Sequence, residues 1–511
     1  MAERSRLYVI KPVLKYLPAV KDPEEHVSFS RKMLWTGIIV AIYLFLCYVP
    51  VYGLSPSATD LFAPFRTIMA GYQGSLMHLG IGPIVTASII MQLFVGARII
   101  NLDLTDEDDQ SLYQGSQKFF GILMIIFEAI IFTVGGSMPP SSALESVMGH
   151  WGGILIIALQ IGFGAYIIML MDEVVSKWGI GSGISLFIAA NVSLQIITGT
   201  INWLPMDSAN PLSMSNPPSG LIPGLVYDFQ NLGMGGVMSN FESVFFIKPG
   251  GNPNTLIAMI GTIAVFLIVV YFESTRVELP ISHGRVRGAR GRYPIKLLYA
   301  SNIPVILVQA VLANVNMIAM LLWTRNIPYI GQNSYIGAFV RGGSRPVGGL
   351  AWYLGTPMGL GEWLFPLMDP TQYGLLVAYH MPWEVVLKLV VYAAVMIGGC
   401  VLFATFWIET TNMGPKDVAK QIMSSDLQIP GFRRDPKILE KVLERYIPQI
   451  TIIGGILVGV LAVGADLIGT VGNASGMGVL LTTGILIGFY EQVAREQLVE
   501  MHPLIRRFFQ E

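Results

Sequence analysis

The sequence predicts an all-α membrane protein with ten transmembrane helices, and three observations support this prediction. Of the 511 residues, 53% are hydrophobic and only 13% are charged, whereas soluble domains carry about 25% charged residues. The charged residues gather in a few short blocks between long apolar runs. Ten of these runs approach the length of about 20 apolar residues that a bilayer-spanning helix needs.

The ten predicted spans follow one another along the chain. They lie near residues 34–53, 79–97, 119–139, 152–172, 183–202, 255–272, 296–322, 384–407, 448–470 and 477–490. The predicted regions are a cytoplasmic N-terminal segment (1–33), an N-terminal half (34–202), an outer loop (203–254), a C-terminal half (255–490) with cytoplasmic loops 273–296 and 408–447, and a cytoplasmic C-terminal tail (491–511). The outer connections 203–254 and 325–383 are rich in Gly, Pro, Asn and Ser, which predicts little regular structure there.

The distribution of Lys and Arg predicts the orientation, because these residues stay on the cytoplasmic side during insertion. If the N-terminus is inside, 26 of the 32 basic residues lie in inner segments and 5 in outer ones. Both termini are therefore predicted to be cytoplasmic. The remaining residue, Lys388, lies in the eighth span, and we expect its long stem to carry the ammonium to the outer interface.

Two polar connections in the N-terminal half need separate interpretations. The segment Ser55 to Ser75 is too polar to span the bilayer and too apolar for a solvated loop, so we expect a short helix packed in a sheltered place. The acidic run Asp106 to Asp109 is interpreted as a solvated cytoplasmic face.

No catalytic, metal or cofactor site is predicted. None of the six histidines falls inside a span, and neither an HExxH motif nor a nucleotide-binding glycine loop occurs. Cys47 and Cys400, the two cysteines, both lie in apolar runs, which excludes a disulfide framework. Ser182, in a Gly-rich string, lacks a histidine that could act as its base. Ser182 or Gly183 is instead a reasonable cap for the fifth span.

Short internal similarities predict an inverted repeat of five plus five helices. Gly476–Leu481 matches Gly181–Leu186 as Gly-x-Gly-[Ile/Val]-x-Leu, and Ile81–Val85 is similar to Asn302–Ile306. The fifth and tenth spans have opposite orientations, as an inverted-topology repeat requires. Chance similarity between apolar strings is the alternative.

An inverted repeat also suits a secondary transporter of a small solute, which is the alternative function. Such transporters usually place ionisable groups at the midplane. We expect Glu128 in the third span and little else at that depth. The segments near Pro83 and Pro304 present Ile, Val and Leu, and an aqueous path lined by such side chains closes by dewetting. The sequence therefore favours a channel.

The two large cytoplasmic loops are basic. The first contains GRVRGARGRYPIK among glycines, which predicts an exposed loop or ribbon, and the second contains Gly431-Phe432-Arg433-Arg434. Three interpretations stay open. The charge is a consequence of insertion topology, a docking surface for phosphate-rich RNA, or a contact with acidic lipid head groups.

Five strings of the sequence resemble the SecY family, in the form shared by archaea and the eukaryotic endoplasmic reticulum. They are LGIGPIVTASIIMQLFVG (79–96), DEVVSKWGIGSGISLFIAANVS (172–193), RVELPISHGRVRGARGRYPIKLLYASNIPVIL (276–307), FWIETTNMGPKDVAKQI (406–422) and GVLLTTGILIGFYEQVAREQL (478–498). The resemblance implies a channel that translocates unfolded secretory polypeptides and releases transmembrane segments laterally into the bilayer. It also implies that the two halves enclose an hourglass pore.

The resemblance further implies four groups of site residues. The pore ring would comprise Ile81, Val85, Ile184, Ile188, Ile306 and Leu481. The plug, near residues 60–72, would include Asp60, Leu61, Phe62, Phe65, Arg66, Ile68 and Met69. The lateral gate would hold Thr86, Glu128 and Asn302. Ribosome binding would use Arg287, Arg290, Arg433 and Arg434.

Partners are implied only by this resemblance. They are small SecE/γ-type and β-type membrane subunits in a heterotrimer, the ribosome with its nascent chain, signal sequences and the lipid bilayer. The expected location is the cell (plasma) membrane.

Overall fold

The structure is a computed structural model. It describes residues 6–25, 27–56, 58, 66, 69–96, 99–100, 102, 106–205, 210–213, 216–239, 241, 245, 254–283, 290–296, 303–325, 333–339, 345–411, 413–424, 427–428, 436–472 and 474–501.

Within these ranges, ten apolar helices form the body of the molecule, as the composition predicts. They are α1 Phe29–Cys47, α2 Gly82–Gly96, α3 Glu107–Val134, α4 Ser142–Trp178, α5 Gly183–Ile201, α6 Leu256–Ser274, α7 Ile303–Arg325, α8 Pro382–Thr410, α9 Pro436–Ile468 and α10 Gly476–Met501. Nine are long and apolar enough to cross a membrane. The tenth, α2, has 15 residues and is about 22 Å long, which is less than a bilayer core of about 30 Å.

Helix α2 is short because the chain before it is folded into the protein interior. Gly80 has a φ of 58°, and a Cβ atom there would lie 2.0 Å from the carbonyl oxygen of Met69. Only glycine fits this turn. The Ile81 N–H donates to the same Met69 carbonyl at 2.7 Å, so α2 begins beside a buried segment and not at the outer surface.

Several helices extend beyond their apolar runs. Helix α3 begins at Glu107, well before the predicted residue 119, and α10 continues to Met501, past the predicted end at 490. The first part of the predicted C-terminal tail is therefore helical. Polar residues continue a helix once it has formed, because each adds one backbone hydrogen bond. Helix α4 bends at Gly149, whose φ is 72°.

The core is one apolar cluster that draws buried side chains from all ten helices. Both cysteines are free and belong to it, Cys47 from α1 and Cys400 from α8. The two halves of the molecule therefore share a continuous interior.

The outer connections contain more structure than the sequence predicts. A helix runs from Leu221 to Ser239 with a bend at Gly233, and its Leu221 packs against Ala258 of α6 and Val471. The connection before α8 holds strands β3 Ala338–Phe339 and β4 Pro346–Gly348. Short helices complete the described parts of the connections: Lys11–Leu14, Leu350–Tyr353, Leu364–Met368, Pro370–Tyr373 and Pro415–Ser424, with 3₁₀ turns Arg6–Val9, Leu360–Glu362 and Gly374–Val377.

The basic loop between α6 and α7 is a β-ribbon, in agreement with its predicted form. Strand β1 (Arg276–His283) pairs antiparallel with β2 (Arg290–Lys296). Strand β5 (Leu427–Gln428), from the loop between α8 and α9, joins the other edge of β1. The sheet order is β2-β1-β5, so the described strands of the two large basic loops form one sheet.

The described carboxylates of the acidic run are exposed or half-buried, as a solvated face would be, and two of them also contact the N-terminal segment. Lys11 Nζ lies 3.1 Å from Asp108 Oδ1, and the Tyr8 hydroxyl donates to Asp109 Oδ1 at 2.6 Å. The hydrogen bond to the Asp109 carboxylate, with some desolvation, raises the pKa of Tyr8 to about 12.

Equivalent contacts recur in the two halves. Thr36 on α1 donates to the Lys32 carbonyl and accepts the Ile180 N–H at 3.0 Å. Thr262 on α6 donates to the Ala258 carbonyl and accepts the Val471 N–H, also at 3.0 Å. In each half, the first helix thus holds the loop before the last helix, as an inverted repeat predicts.

Candidate functional site

The six predicted ring residues all lie in the main apolar cluster. They come from α2 or the residue just before it, α5, α7 and α10. Ile81, Val85, Ile188, Ile306 and Leu481 are buried, and Ile184 is half-buried and packed against the same cluster. Each is apolar and unable to hydrogen-bond an ion or water through its side chain, which is the chemistry that a dewetting constriction needs.

The structure describes two of the predicted plug residues, and both make hydrogen bonds to buried parts of the chain. Arg66 is buried, donates from Nη1 to the His78 carbonyl at 3.3 Å, and accepts Nδ2 of Asn191 on α5 at its own carbonyl. The Met69 carbonyl accepts the Ile81 N–H. This segment is therefore linked to the fifth helix and to a ring residue. Asp60, Leu61, Phe62, Phe65 and Ile68 lie outside the described residues.

The predicted lateral-gate residues Thr86 and Glu128 meet between α2 and α3. Thr86 Oγ1 lies 3.3 Å from Glu128 Oε1 and 2.9 Å from the Gly82 carbonyl, so its single proton is shared between two acceptors. Glu128 is 1% exposed, and among the described residues its Oε2 has no hydrogen-bond partner. Asn302 lies outside the described residues.

Asn314, which the sequence analysis missed, makes the polar contact across the seam. Its Nδ2 donates to Thr86 Oγ1 at 3.0 Å, joining α7 to α2, and also to its own helix at Ala310. The available signal was the set of amides in α7, Gln309, Asn314 and Asn316, since such groups can bond across helices. Helix α2 also contacts α8, where Gly96 packs against Phe406. Helix α2 therefore contacts both α7 and α8.

A second buried carboxylate, which the sequence analysis also missed, lies near the C-terminal end of α9. Asp466 on α9 is 1% exposed and lies within the predicted ninth span. Its Oδ2 accepts the Tyr392 hydroxyl from α8 at 2.7 Å, and its Oδ1 accepts the Met477 N–H from α10 at 3.0 Å. Gln309 of α7 donates to the Tyr392 hydroxyl. Four helices of the C-terminal half share this network.

Of the four residues predicted to bind ribosomes, Arg290 is the one that the structure describes, and its backbone lies in the three-stranded sheet. Arg290 opens β2 and pairs with Ser282, which also pairs with Gln428 of β5. Arg287, Arg433 and Arg434 lie outside the described residues. Within the described part of the chain, no group of three or more His, Cys, Asp and Glu side chains could hold a metal ion.

A family model described as SecY matches residues 75–490, which is most of the chain. The chain belongs to the SecY family. A second family model, the plug domain of Sec61p, matches residues 42–74 of this SecY-family chain.

Relatives named protein translocase subunit SecY match this SecY-family chain over nearly its full length. The protein from Archaeoglobus fulgidus is 43% identical and is covered for 99% of both chains. The protein from Haloferax volcanii is 44% identical, with 98% of each chain covered.

Solved SecY-type structures have the same fold. A structure described as a protein conducting channel is 38% identical with a TM-score of 0.76, covering 97% of this chain and 98% of the other. The canine Sec61 of a ribosome-channel complex from the endoplasmic reticulum is 37% identical with a TM-score of 0.73 and the same coverage. The ten-helix architecture predicted from the sequence is thereby confirmed.

Proposed function

We propose that this chain is the channel-forming subunit of a protein translocase, which moves unfolded secretory polypeptides across the membrane. The observation that carries the proposal is the hydrogen bond from the Ile81 N–H to the Met69 carbonyl. A segment of the plug region is hydrogen-bonded to the chain just before α2, beside the apolar residues proposed to form the constriction. The match to protein translocase subunits over the whole chain supports the same function.

The proposed pore is closed by apolar side chains and not by a charged filter. Ile81, Val85, Ile184, Ile188, Ile306 and Leu481 form its ring. A narrow path lined by branched apolar side chains excludes water and ions at rest. Such side chains also fit around an extended polypeptide of any sequence without binding it tightly.

The proposed lateral exit lies between α2 and α7, at the Thr86–Asn314 hydrogen bond and beside Glu128. Hydrogen bonds between membrane helices are worth only about 0.6 kcal/mol on average. A hydrophobic segment that enters the seam therefore needs little free energy to separate α2 from α7. Such a segment can then leave the channel sideways into the bilayer.

The proposed docking surface for the ribosome is the three-stranded cytoplasmic sheet with Arg287, Arg290, Arg433 and Arg434. Strands β1 and β5 bring the two basic loops together, and clustered Arg side chains neutralise RNA phosphates without reading sequence. A related structure is that of Sec61 in a canine ribosome-channel complex.

The remaining parts of the proposal concern assembly and location. The chain assembles with small SecE/γ-type and β-type membrane subunits and lies in the plasma membrane with both termini in the cytoplasm. The excess of 26 inner over 5 outer basic residues supports this orientation. It acts as a channel and not as an enzyme.

Substitution of ring residues tests the pore. We expect Ile184→Asn with Ile306→Asn to raise the resting ion conductance of reconstituted channels in planar bilayers, because amide side chains hydrate the constriction. The control variant, Ile184→Leu with Ile306→Leu, keeps the apolar lining and should remain sealed. Unchanged resting conductance in the Asn variant would contradict the pore assignment.

Charge reversal tests the docking surface. We expect Arg433→Glu to reduce co-sedimentation with ribosomes and to lower the slope of log affinity against log salt by about 1, because one phosphate contact is lost. Arg495→Glu, the same charge change on the cytoplasmic end of α10, is the control and should bind like the wild type. Equal binding by all three proteins would leave the loop with a topological role only.

A further inference from the structure

The last helix of each half begins inside the protein, where its backbone needs acceptors. The first four N–H groups of a helix have no partner within it, and in a membrane protein each must be satisfied internally. The residue before α5 is Ser182, but its side chain makes no capping hydrogen bond. Before α10, the Ser475 hydroxyl accepts the Gly478 N–H. Other N–H groups in the first turn of α10 still need acceptors.

In both halves a carboxylate from the preceding helix supplies an acceptor. Asp172 on α4 accepts the Ile184 N–H at Oδ1, at 2.9 Å. Asp466 on α9 accepts the Met477 N–H at Oδ1, at 3.0 Å. The two pairs are separated by 12 and 11 residues respectively. A negative charge at a helix N-terminus is further stabilised by the helix dipole.

Close packing keeps each carboxylate at its helix. A Cβ atom on Gly183 would lie 2.6 Å from Asp172 Cα, and one on Gly476 would lie 1.9 Å from the Ala465 carbonyl oxygen. A larger residue at either glycine would separate the two helices. The glycines of the repeated Gly-x-Gly string therefore let the helix starts reach the carboxylates.

The two carboxylates contact the turns that carry the proposed ring. Ile184, whose N–H bonds to Asp172, is itself a ring residue, and Leu481 lies four residues, about one turn, after Met477. The Asp466 network continues through Tyr392 to Gln309. Gln309 follows the ring residue Ile306 by three residues on α7, again about one turn.

We propose that Asp172 and Asp466 are positioning residues for the constriction. Each fixes the depth and rotation of the helix that carries a ring side chain, and Asp466 also holds α10 in register with α7 through Tyr392 and Gln309. The inference rests on the proposed function of the six apolar residues as the ring. Asp172 is half-buried, whereas Asp466 is 1% exposed, so the larger effect belongs to Asp466.

The test compares the resting conductance of three variants of the assembled channel in planar bilayers, with thermal unfolding in detergent measured for each. Asp466→Leu removes the acceptor, and we expect the resting ion conductance to rise about tenfold. One or two buried hydrogen bonds are lost, and a free-energy change of about 1.4 kcal/mol corresponds to a factor of ten. Asp466→Asn keeps an oxygen for the Met477 N–H and should stay nearly sealed. Thr451→Val is the matched control, because Thr451 is also buried on α9 but bonds to the Ile447 carbonyl of its own helix.

Each outcome supports or overturns the proposal. A leak in Asp466→Leu with sealed Asp466→Asn and Thr451→Val supports it. A folded but sealed Asp466→Leu, or an equal leak in Thr451→Val, overturns it. If Asp466→Leu does not fold, Asp172→Leu decides instead, and a folded, sealed protein again overturns the proposal. Leak in Ile184→Asn with Ile306→Asn while Asp466→Leu stays sealed would refute only the positioning role, whereas sealed ring variants would refute the ring itself.

Discussion

Polar side chains within the ten helices are of two kinds, distinguished by where their hydrogen bonds end. Thr133, Thr451 and Asn316 bond to the carbonyl four residues earlier in their own helix. Asp466 bonds to other helices, and Asn314 does so in addition to its bond to the Ala310 carbonyl of α7. Groups of the second kind hold neighbouring helices in position relative to each other. They lie at the seam between α2 and α7 and around the proposed ring.

The hydrogen bond between Asn314 and Thr86 gives a prediction at the scale of one residue. We expect Asn314→Ala to shift the closed seam toward the open state about threefold, since an interhelical hydrogen bond is worth about 0.6 kcal/mol. Fluorescence energy transfer between probes on α2 and α7 measures the shift. Asn316→Ala removes an amide two residues away that bonds only within α7 among the described residues, and it should leave the transfer unchanged. Equal shifts in the two variants would contradict the role of Asn314.

Lys388 shows how a local sequence interpretation fails for one residue. The expectation was an ammonium group extended to the outer interface. In the structure Lys388 is 8% exposed, and its Nζ lies 5.0 Å from the centre of the Trp352 ring. An aromatic face attracts a cation, and the outer connection that carries Trp352 folds back over α8. Nothing in the local sequence of the eighth span shows that Trp352 covers it.

At the scale of elements, apolar run length predicts which segments are helices but not where they end. All ten spans exist because bilayer solvent requires long apolar helices. Helix α2 is short because a buried segment packs against its start, and α10 is long because polar residues continue it. The helix Leu221–Ser239 was missed because its four glycines and Pro223 hide a pattern that packs on α6.

The bend in α4 gives a prediction about a single element. Gly149 has a φ of 72°, and no atom lies within 4 Å of the position its Cβ would take. Gly149→Ala should therefore lower the free energy of unfolding by about 1–3 kcal/mol through backbone strain alone, since the ψ of 166° at Gly149 places it in a region that is nearly restricted to glycine. Gly398, in the middle of α8, also has open space around it and lacks the left-handed conformation.

The matched variant Gly398→Ala should leave stability unchanged or raise it by up to about 1 kcal/mol, because alanine favours the helix. Thermal unfolding in detergent compares the two. A stabilising effect of Gly149→Ala would show that α4 is straight in solution.

At the scale of the whole molecule, the C-terminal end of α10 connects the two halves. Glu496 pairs with Lys32 of α1 at 2.9 Å, and Glu491 pairs with Arg276 of β1 at 3.1 Å. Lys32 lies on α1, the first helix of the N-terminal half, and Arg276 lies in the hairpin proposed to meet the ribosome. These pairs join residues far apart in sequence, so no local pattern predicts them, whereas the ring residues were proposed from strings that resemble the SecY family.

A charge swap tests this connection. Lys32→Glu places two carboxylates together and should lower the free energy of unfolding by up to about 1 kcal/mol, the range for partly exposed pairs. Adding Glu496→Lys should restore it. Lys21→Glu, whose partner Glu24 lies in the same N-terminal segment, is the control and should have no measurable effect. Failure of the swap to restore stability would rule out a direct pair.

The enclosure of both native thiols has a practical consequence. Cys47 and Cys400 are 0% exposed, and the chain has no other cysteine. Labelling reagents that act from water should therefore leave the unmodified chain unreacted. Single cysteines placed on the surface can then report on the chain with its native residues intact.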